Sequence, residues 1–111
     1  MIKVNIYYFK KTIKAIEIKG HSNFATLGKD IVCAGVSSVF QGMLNAISIM
    51  FKKNLDCKDV FLQLNIKKGY GLIKLSKPNL IRLNLLLNAL YYQLKTISIQ
   101  YPKYLKINKI T

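Results

Sequence analysis

Residues 2–19, IKVNIYYFKKTIKAIEIK, open the chain as two β-rich runs around a lysine pair. The first, residues 2–9, is β-branched and aromatic with partial alternation, which predicts a strand. In residues 12–19, Ile13, Ala15, Ile16 and Ile18 alternate with Lys14, Glu17 and Lys19, and the pattern slips by one near Ala15-Ile16, as a bulge would make it do. With Lys10-Lys11 as a tight turn, the pair reads as an N-terminal hairpin. Beyond it, GHSNFATLGK (20–29) carries glycine near both ends and Ser, Asn and Thr inside, and is expected to be a loop. Asp30 then suits a helix N-cap, with Ile31, Val32 and Cys33 in the first turn. Val32, Val36, Val39, Phe40, Met43, Ile47 and Met50 share one broad helical face. Lys52-Lys53 suits the helix end, where positive charge complements the dipole.

After a polar connection at 54–58, residues 59–67 alternate and predict a strand, and Gly69-Tyr70-Gly71 turns into a partner at 72–76. Pro78-Asn79 opens a second helix running to about Gln100, Pro102 stops it, and 104–108 makes a last strand. The order ββαββαβ predicts an α+β two-layer sandwich: two helices packed on a mixed sheet of about five strands, one face of the sheet covered. Apolar residues wrap more than half of the second helix, more than one face can bury. A homodimer is the simplest way to cover the surplus.

The chain has 111 residues, 51% hydrophobic and 20% charged, a composition expected of one globular domain, 1–111, rather than of a disordered chain. Two cysteines cannot make a disulfide framework, which fits a reducing, cytoplasmic setting. No signal peptide is expected from the short apolar run at 4–9, and the apolar stretch 80–94 is too interrupted by Arg82, Asn84, Asn88 and Gln93 to span a membrane. The net charge is +14, from 18 basic residues of which only Arg82 is arginine. Such an excess attracts RNA or the ribosome, but the scattered lysines and the near absence of arginine forks argue for a mainly solvated surface with weak, salt-sensitive association.

Chemistry has few residues to run on. His21 is the single histidine, Cys33 and Cys57 are the cysteines, and Glu17, Asp30, Asp56 and Asp59 are the only acids. No C-x-x-C or H-x-x-x-H spacing exists, so neither a metal site nor any cofactor is expected. His21 leaves a strand and Cys33 begins a helix, which places imidazole and thiol at one edge of the domain. A first-turn cysteine feels the helix dipole and unpaired N–H groups, an imidazole can take its proton, and the same amides can face an oxyanion. Ala34 and Gly35 beside it are small enough to admit a substrate backbone. Cys57, in a polar connection, has no such setting.

Gly20-His21, followed by Gly28-Lys29-Asp30-Ile31-Val32-Cys33-Ala34-Gly35-Val36-Ser37-Ser38, closely resembles the signature of the ribosomal-processing cysteine proteases, and the likeness extends from the opening MIKV to the YPKYLKI tail. The resemblance implies a small dimeric cytosolic endopeptidase that removes the N-terminal extension of a large-subunit ribosomal protein, cutting after an apolar, aromatic-containing segment. It implies Cys33 as nucleophile and His21 as general base and later general acid. Asp30, Ser37, Gly20 and Gly28 match further motif positions: Asp30 would orient His21 or cap the helix, and the two glycines would let loop 20–30 open as a lid. Ser22 and Gly35 stand where the family commonly has alanine, Gly35 being expected to widen access beside the thiol, and the lysine excess is unusual for a family that is often acidic. The alternative is a non-enzymatic basic RNA- or ribosome-binding module with Cys33 as a core residue. A cysteine acyltransferase or deamidase on similar residues would give no chain cleavage.

Overall fold

A computed structural model describes residues 1–20, 27–51, 61–67, 69–76 and 81–111, with backbone alone for 27–30 and 61–63. The elements run β1 (Ile2–Phe9), β2 (Thr12–Lys19), α1 (Leu27–Met50), β3 (Phe61–Lys67), β4 (Tyr70–Leu75), α2 (Ile81–Gln100) and β5 (Leu105–Ile110). The order is ββαββαβ, as the periodicity predicts. The five strands form one mixed sheet in the order β3-β4-β2-β1-β5, with β1 and β5 parallel and the other neighbours antiparallel.

The hairpin forms around Lys10-Lys11, with Lys10 in the left-handed region at φ 56°. The predicted slip is a β-bulge: Tyr7 pairs with Ala15 and Tyr8 with Ile13, which leaves Lys14 as the extra residue. Beside it, the Ile13 N–H donates to Asn84 Oδ1 of α2 at 3.2 Å, and Asn88 Nδ2 donates to the Asn84 carbonyl at 2.8 Å. The bulge thereby ties a helix to the sheet, and a donor that the ladder leaves out finds an acceptor.

Both helices cover the same face. From the sheet come Ile2, Val4, Ile6, Ile13, Ile16, Ile18, Ile73 and Leu75; from α1 Val32, Val36, Phe40, Met43 and Ile47; from α2 Leu83, Leu87, Leu90, Tyr91 and Leu94. Of the predicted α1 face, Val39 is only partly buried and Met50 is exposed. Over Ile31–Met50, α1 reaches a mean hydropathy of 1.4, enough by length and composition to cross a membrane. Its most apolar face packs on the sheet instead.

Several boundaries differ from expectation. α1 begins at Leu27, so Asp30 is the fourth helical residue and not the N-cap, and residues 27–29 are helix rather than loop. A glycine and polar neighbours make that stretch read as a turn, while continuity with the strongly apolar face behind it extends the helix forward. At its other end α1 stops at Met50, with the Phe51 N–H on the Ile47 carbonyl at 3.0 Å, before Lys52-Lys53, which lie outside the described residues. β4 starts at Tyr70 and β5 extends to Ile110, each longer than the alternation alone predicts because pairing with β2, β3 and β1 carries the strand on. The connection 54–58 with Cys57, residues 59–60 and Pro78-Asn79 also lie outside the described residues.

On the uncovered face, Glu17 is the centre of a network. Its carboxylate accepts from Tyr70 Oη at 2.8 Å, Asn5 Nδ2 at 3.1 Å and Tyr7 Oη at 3.2 Å, with Lys19 Nζ at 3.6 Å. Partial burial pushes the carboxyl upward, but the bonds from Asn5 and Tyr70, the Lys19 charge and the Tyr7 bond outweigh it and hold Glu17 below the ordinary carboxylate value. A carboxyl lowered by folding adds stability that is complete above its unfolded value and is lost as pH falls through the folded one. Melts of wild type and Glu17→Gln from about pH 6 to about pH 3 should therefore converge toward acid, with the variant showing the shallower loss.

Candidate active site

Cys33, Gly20 and Ser37 line one cleft, of about 110 Å³, at the end of the sheet where β2 ends and β4 begins. Ser37 follows Cys33 by one helical turn, so both project on the same side of α1. Val36 and Phe40 continue that wall, Ile2 and Ile18 come from the sheet, and Ile66, Lys67 and Tyr70 close the far side. Cys33 is half-buried, packed against the core while reaching the cleft.

Two glycines shape this space. Gly20 has φ +102°, its N–H donates to the Gly69 carbonyl at 2.9 Å, and an added Cβ would lie 2.6 Å from the Met1 carbonyl oxygen. Gly71 lies under the Phe40 ring, where a Cβ would come within 2.9 Å of ring carbons. The hairpin turn Gly69-Tyr70-Gly71 therefore does more than reverse the chain. It admits a large α1 side chain against the sheet and so sets one wall of the cleft. Sequence reading missed Phe40, Tyr70 and Gly71 as site residues. The one available signal was two glycines flanking a tyrosine, because what gives them meaning is a contact with a helix thirty residues away.

His21 and residues 22–26 lie outside the described residues; His21 is bonded to Gly20, which lines the cleft. Gly28 and Asp30 stand in the first turn of α1. The early helix start moves Cys33 from the expected first turn to the second, where its N–H is within the intrahelical bonding pattern. Unpaired amides and the dipole, both confined to the first turn, thus lie one turn away from the thiol. At Gly35 a Cβ would meet Ile97 Cδ1 of α2 at 3.6 Å, an ordinary van der Waals contact, so helix packing does not itself demand glycine there. Among the described residues no group of three His, Cys, Asp or Glu could hold a metal ion.

The family model for cysteine protease Prp matches residues 1–106. The chain belongs to the Prp cysteine protease family. Among solved structures, the essential ribosomal processing protease Prp from S. aureus in complex with a substrate peptide superposes with a TM-score of 0.83 at 26% identity, covering 98% of this chain and 99% of that one. The same S. aureus Prp with a covalently linked product peptide gives 0.79 at 27% identity over 98% and 99%. The ribosomal processing cysteine protease Prp of Bacillus subtilis is 48% identical over 40 residues, a match that spans 36% of each chain. The two-layer Prp fold is thus the fold of this chain, helices on one face and the cleft at the sheet's end.

Proposed function

We propose that this chain is a cysteine endopeptidase that cuts the N-terminal extension from a large-subunit ribosomal protein, with Cys33 as nucleophile and His21 as general base and acid. One observation carries the reading: Cys33 opens on a cleft beside Gly20, the residue bonded to His21, in a fold that matches Prp along nearly its whole length. The S. aureus relative holds a covalently linked product peptide, and such a link needs a nucleophile. Of the described side chains along this cleft that could act as nucleophiles, Cys33, Ser37, Lys67 and Tyr70, the thiol is the strongest at neutral pH.

The thiolate attacks the scissile carbonyl to form a tetrahedral oxyanion. Collapse expels the amine, which takes a proton from the His21 imidazolium, and leaves a thioester on Cys33. Water, deprotonated by His21, then releases the acid and restores the thiol. Because the first-turn amides lie a turn from Cys33, activation of the thiol falls mainly on His21. Asp30, Ser37, Gly20 and Gly28 are supporting positions, and of the two roles open to Asp30, helix cap or partner of His21, its place inside α1 favours the second. The apolar cleft walls suit the apolar, aromatic-containing segment before the cut. The mechanism uses no metal, so cleavage of the precursor should survive EDTA and stop after iodoacetamide; loss to the chelator would contradict it.

A cytoplasmic homodimer with weak RNA association completes the reading. On α2 the exposed Ile81, Leu85, Tyr92 and Ile99 recur at spacings of four and seven and so share one stripe, opposite the buried Leu83, Leu87, Leu90 and Leu94. A second copy packed there covers it. Sedimentation should give a dimer for wild type and a monomer for Leu85→Lys; a wild-type monomer at micromolar concentration would remove the dimer.

A further inference from the structure

The strand registers place four lysines and a tyrosine side by side across the whole sheet. Lys67 of β3 pairs with Tyr70 of β4, Tyr70 with Lys19 of β2, Lys19 with Lys3 of β1, and Lys3 with Lys106 of β5. Lys3 stands between the buried Ile2 and Val4, Lys19 follows the buried Ile18 and Lys106 the buried Leu105, so the row faces away from the helices. At the usual strand spacing it spans roughly 19 Å. Like charges set directly opposite destabilise a sheet, and here three lysines are consecutive. Glu17 is the one acid among the described side chains of this face, and four donors already occupy it. Lys19 has the Glu17 carboxylate at 3.6 Å and Lys67 stands 5.6 Å from the centre of the Tyr70 ring, but among the described residues no acid faces Lys3 or Lys106.

The rest of the face is equally specific. Tyr7 and Tyr70 reach Glu17 from different strands, and their hydroxyls, fixed at 3.2 and 2.8 Å, hold both half-exposed rings leaning over the sheet. Between them runs a row of amides, Asn65, Asn5 and Asn108, in register with Leu72 and Glu17. A positive track with aromatic platforms and amide donors is what an unpaired nucleic-acid strand requires: lysines for phosphates, rings for base stacking, amides for base edges. Asn5 and Asn108 each spend one amide N–H within the network, on Glu17 and on Asn5 Oδ1, and keep the second; an acidic peptide would use the charge but not the half-exposed rings.

We propose that the uncovered face of the sheet is a docking surface for single-stranded RNA, with Lys3, Lys19, Lys67 and Lys106 on phosphates and Tyr7 and Tyr70 under bases. The inference rests on the RNA association proposed above and gives it a place. The α2 stripe lies in the helical layer, so a dimer formed there leaves this face open.

Binding of a short labelled single-stranded RNA of mixed sequence to the full chain tests it, by anisotropy over a salt series. Lys3→Gln/Lys19→Gln/Lys106→Gln should weaken binding about tenfold or more and flatten the slope of log affinity against log salt by about two. Lys11→Gln/Lys95→Gln/Lys103→Gln, which removes equal charge elsewhere, should weaken it much less. The sheet variant should melt close to wild type, since relief of like-charge neighbours offsets loss of the contact between the solvent-exposed Lys19 and Glu17. Ultraviolet cross-links on the wild type, mapped by mass, should fall on β1, β2, β4 and β5, a readout independent of any variant's folding. Equal losses in both triple variants, cross-links confined to the helices, or polyglutamate of equal charge competing as well as RNA would overturn the assignment of this face. A wild type that binds no RNA at low salt would instead overturn the RNA association itself.

Discussion

Cys33→Ala should lose peptide cleavage by about 10⁴-fold or more and keep its fold. In a nucleophile–base pair the members act as a unit, so deleting the atom that bonds to the carbonyl removes nearly all of what the pair contributes. Stability answers to different physics. Cys33 is half-buried at the margin of the α1 core face, and removing one sulfur from such a place costs about 1 kcal/mol or less. The fully buried Ile16 or Leu87, cut to alanine, would cost about 2–5 kcal/mol. The combination of an inert enzyme with a near-native melting curve separates a catalytic thiol from a core one. A Cys33→Ala protein that still cleaves would take the nucleophile's role away from Cys33, and one that is inactive only because it has unfolded would favour the binding module instead.

Gly20→Ala should be the most damaging change among the glycines, for both stability and activity. At φ +102° an L side chain is strained wherever it stands, which costs about 1–3 kcal/mol. Here the new methyl also lies 2.6 Å from a backbone oxygen, that of Met1, which cannot swing aside as a side chain can. The next residue, Ile2, is tied in turn to the Tyr104 carbonyl at 2.9 Å. Relief therefore means moving Gly20 off Gly69, at the cleft wall and one bond from His21. We expect a loss of roughly 2–4 kcal/mol and cleavage reduced well beyond the unfolded fraction. Gly42→Ala is the matched control: it sits within α1 with nothing within 4 Å of the added Cβ, so helix propensity alone should stabilise it by about 0.5–1 kcal/mol. Denaturant melts of the two variants check the pair, and similar melts for both would refute the role given to Gly20.

What could be read from the sequence follows the range of the interactions involved. Period-two patterning in residues 2–19 is local, and it revealed both the hairpin and the bulge at Lys14, because one extra residue shifts every later side chain across the sheet. The two helices were legible for the same reason. The start of α1 was not: Gly28 and its polar neighbours argue for a loop, and the apolar face behind them overrides that preference. Cys33 and His21 were found as scarce residues at a suggestive spacing, whereas the cleft's walls depend on Gly71 meeting Phe40 and Gly20 meeting Gly69. Glu17 looked like a routine polar alternation. Its partners come from β1, β2 and β4, and only the register brings them to one carboxylate, just as only the register lines up Lys67, Lys19, Lys3 and Lys106. Scattered along the chain, those lysines read as a diffuse surface charge.

The most direct test is to incubate the wild-type protein, under reducing conditions, with the ribosomal protein precursor of its own cell and to weigh the products. The account predicts two fragments whose masses sum to the precursor plus one water, cut after an apolar, aromatic-containing segment, and none with Cys33→Ala. An intact precursor after incubation with a folded wild type whose Cys33 reacts with iodoacetamide would contradict it.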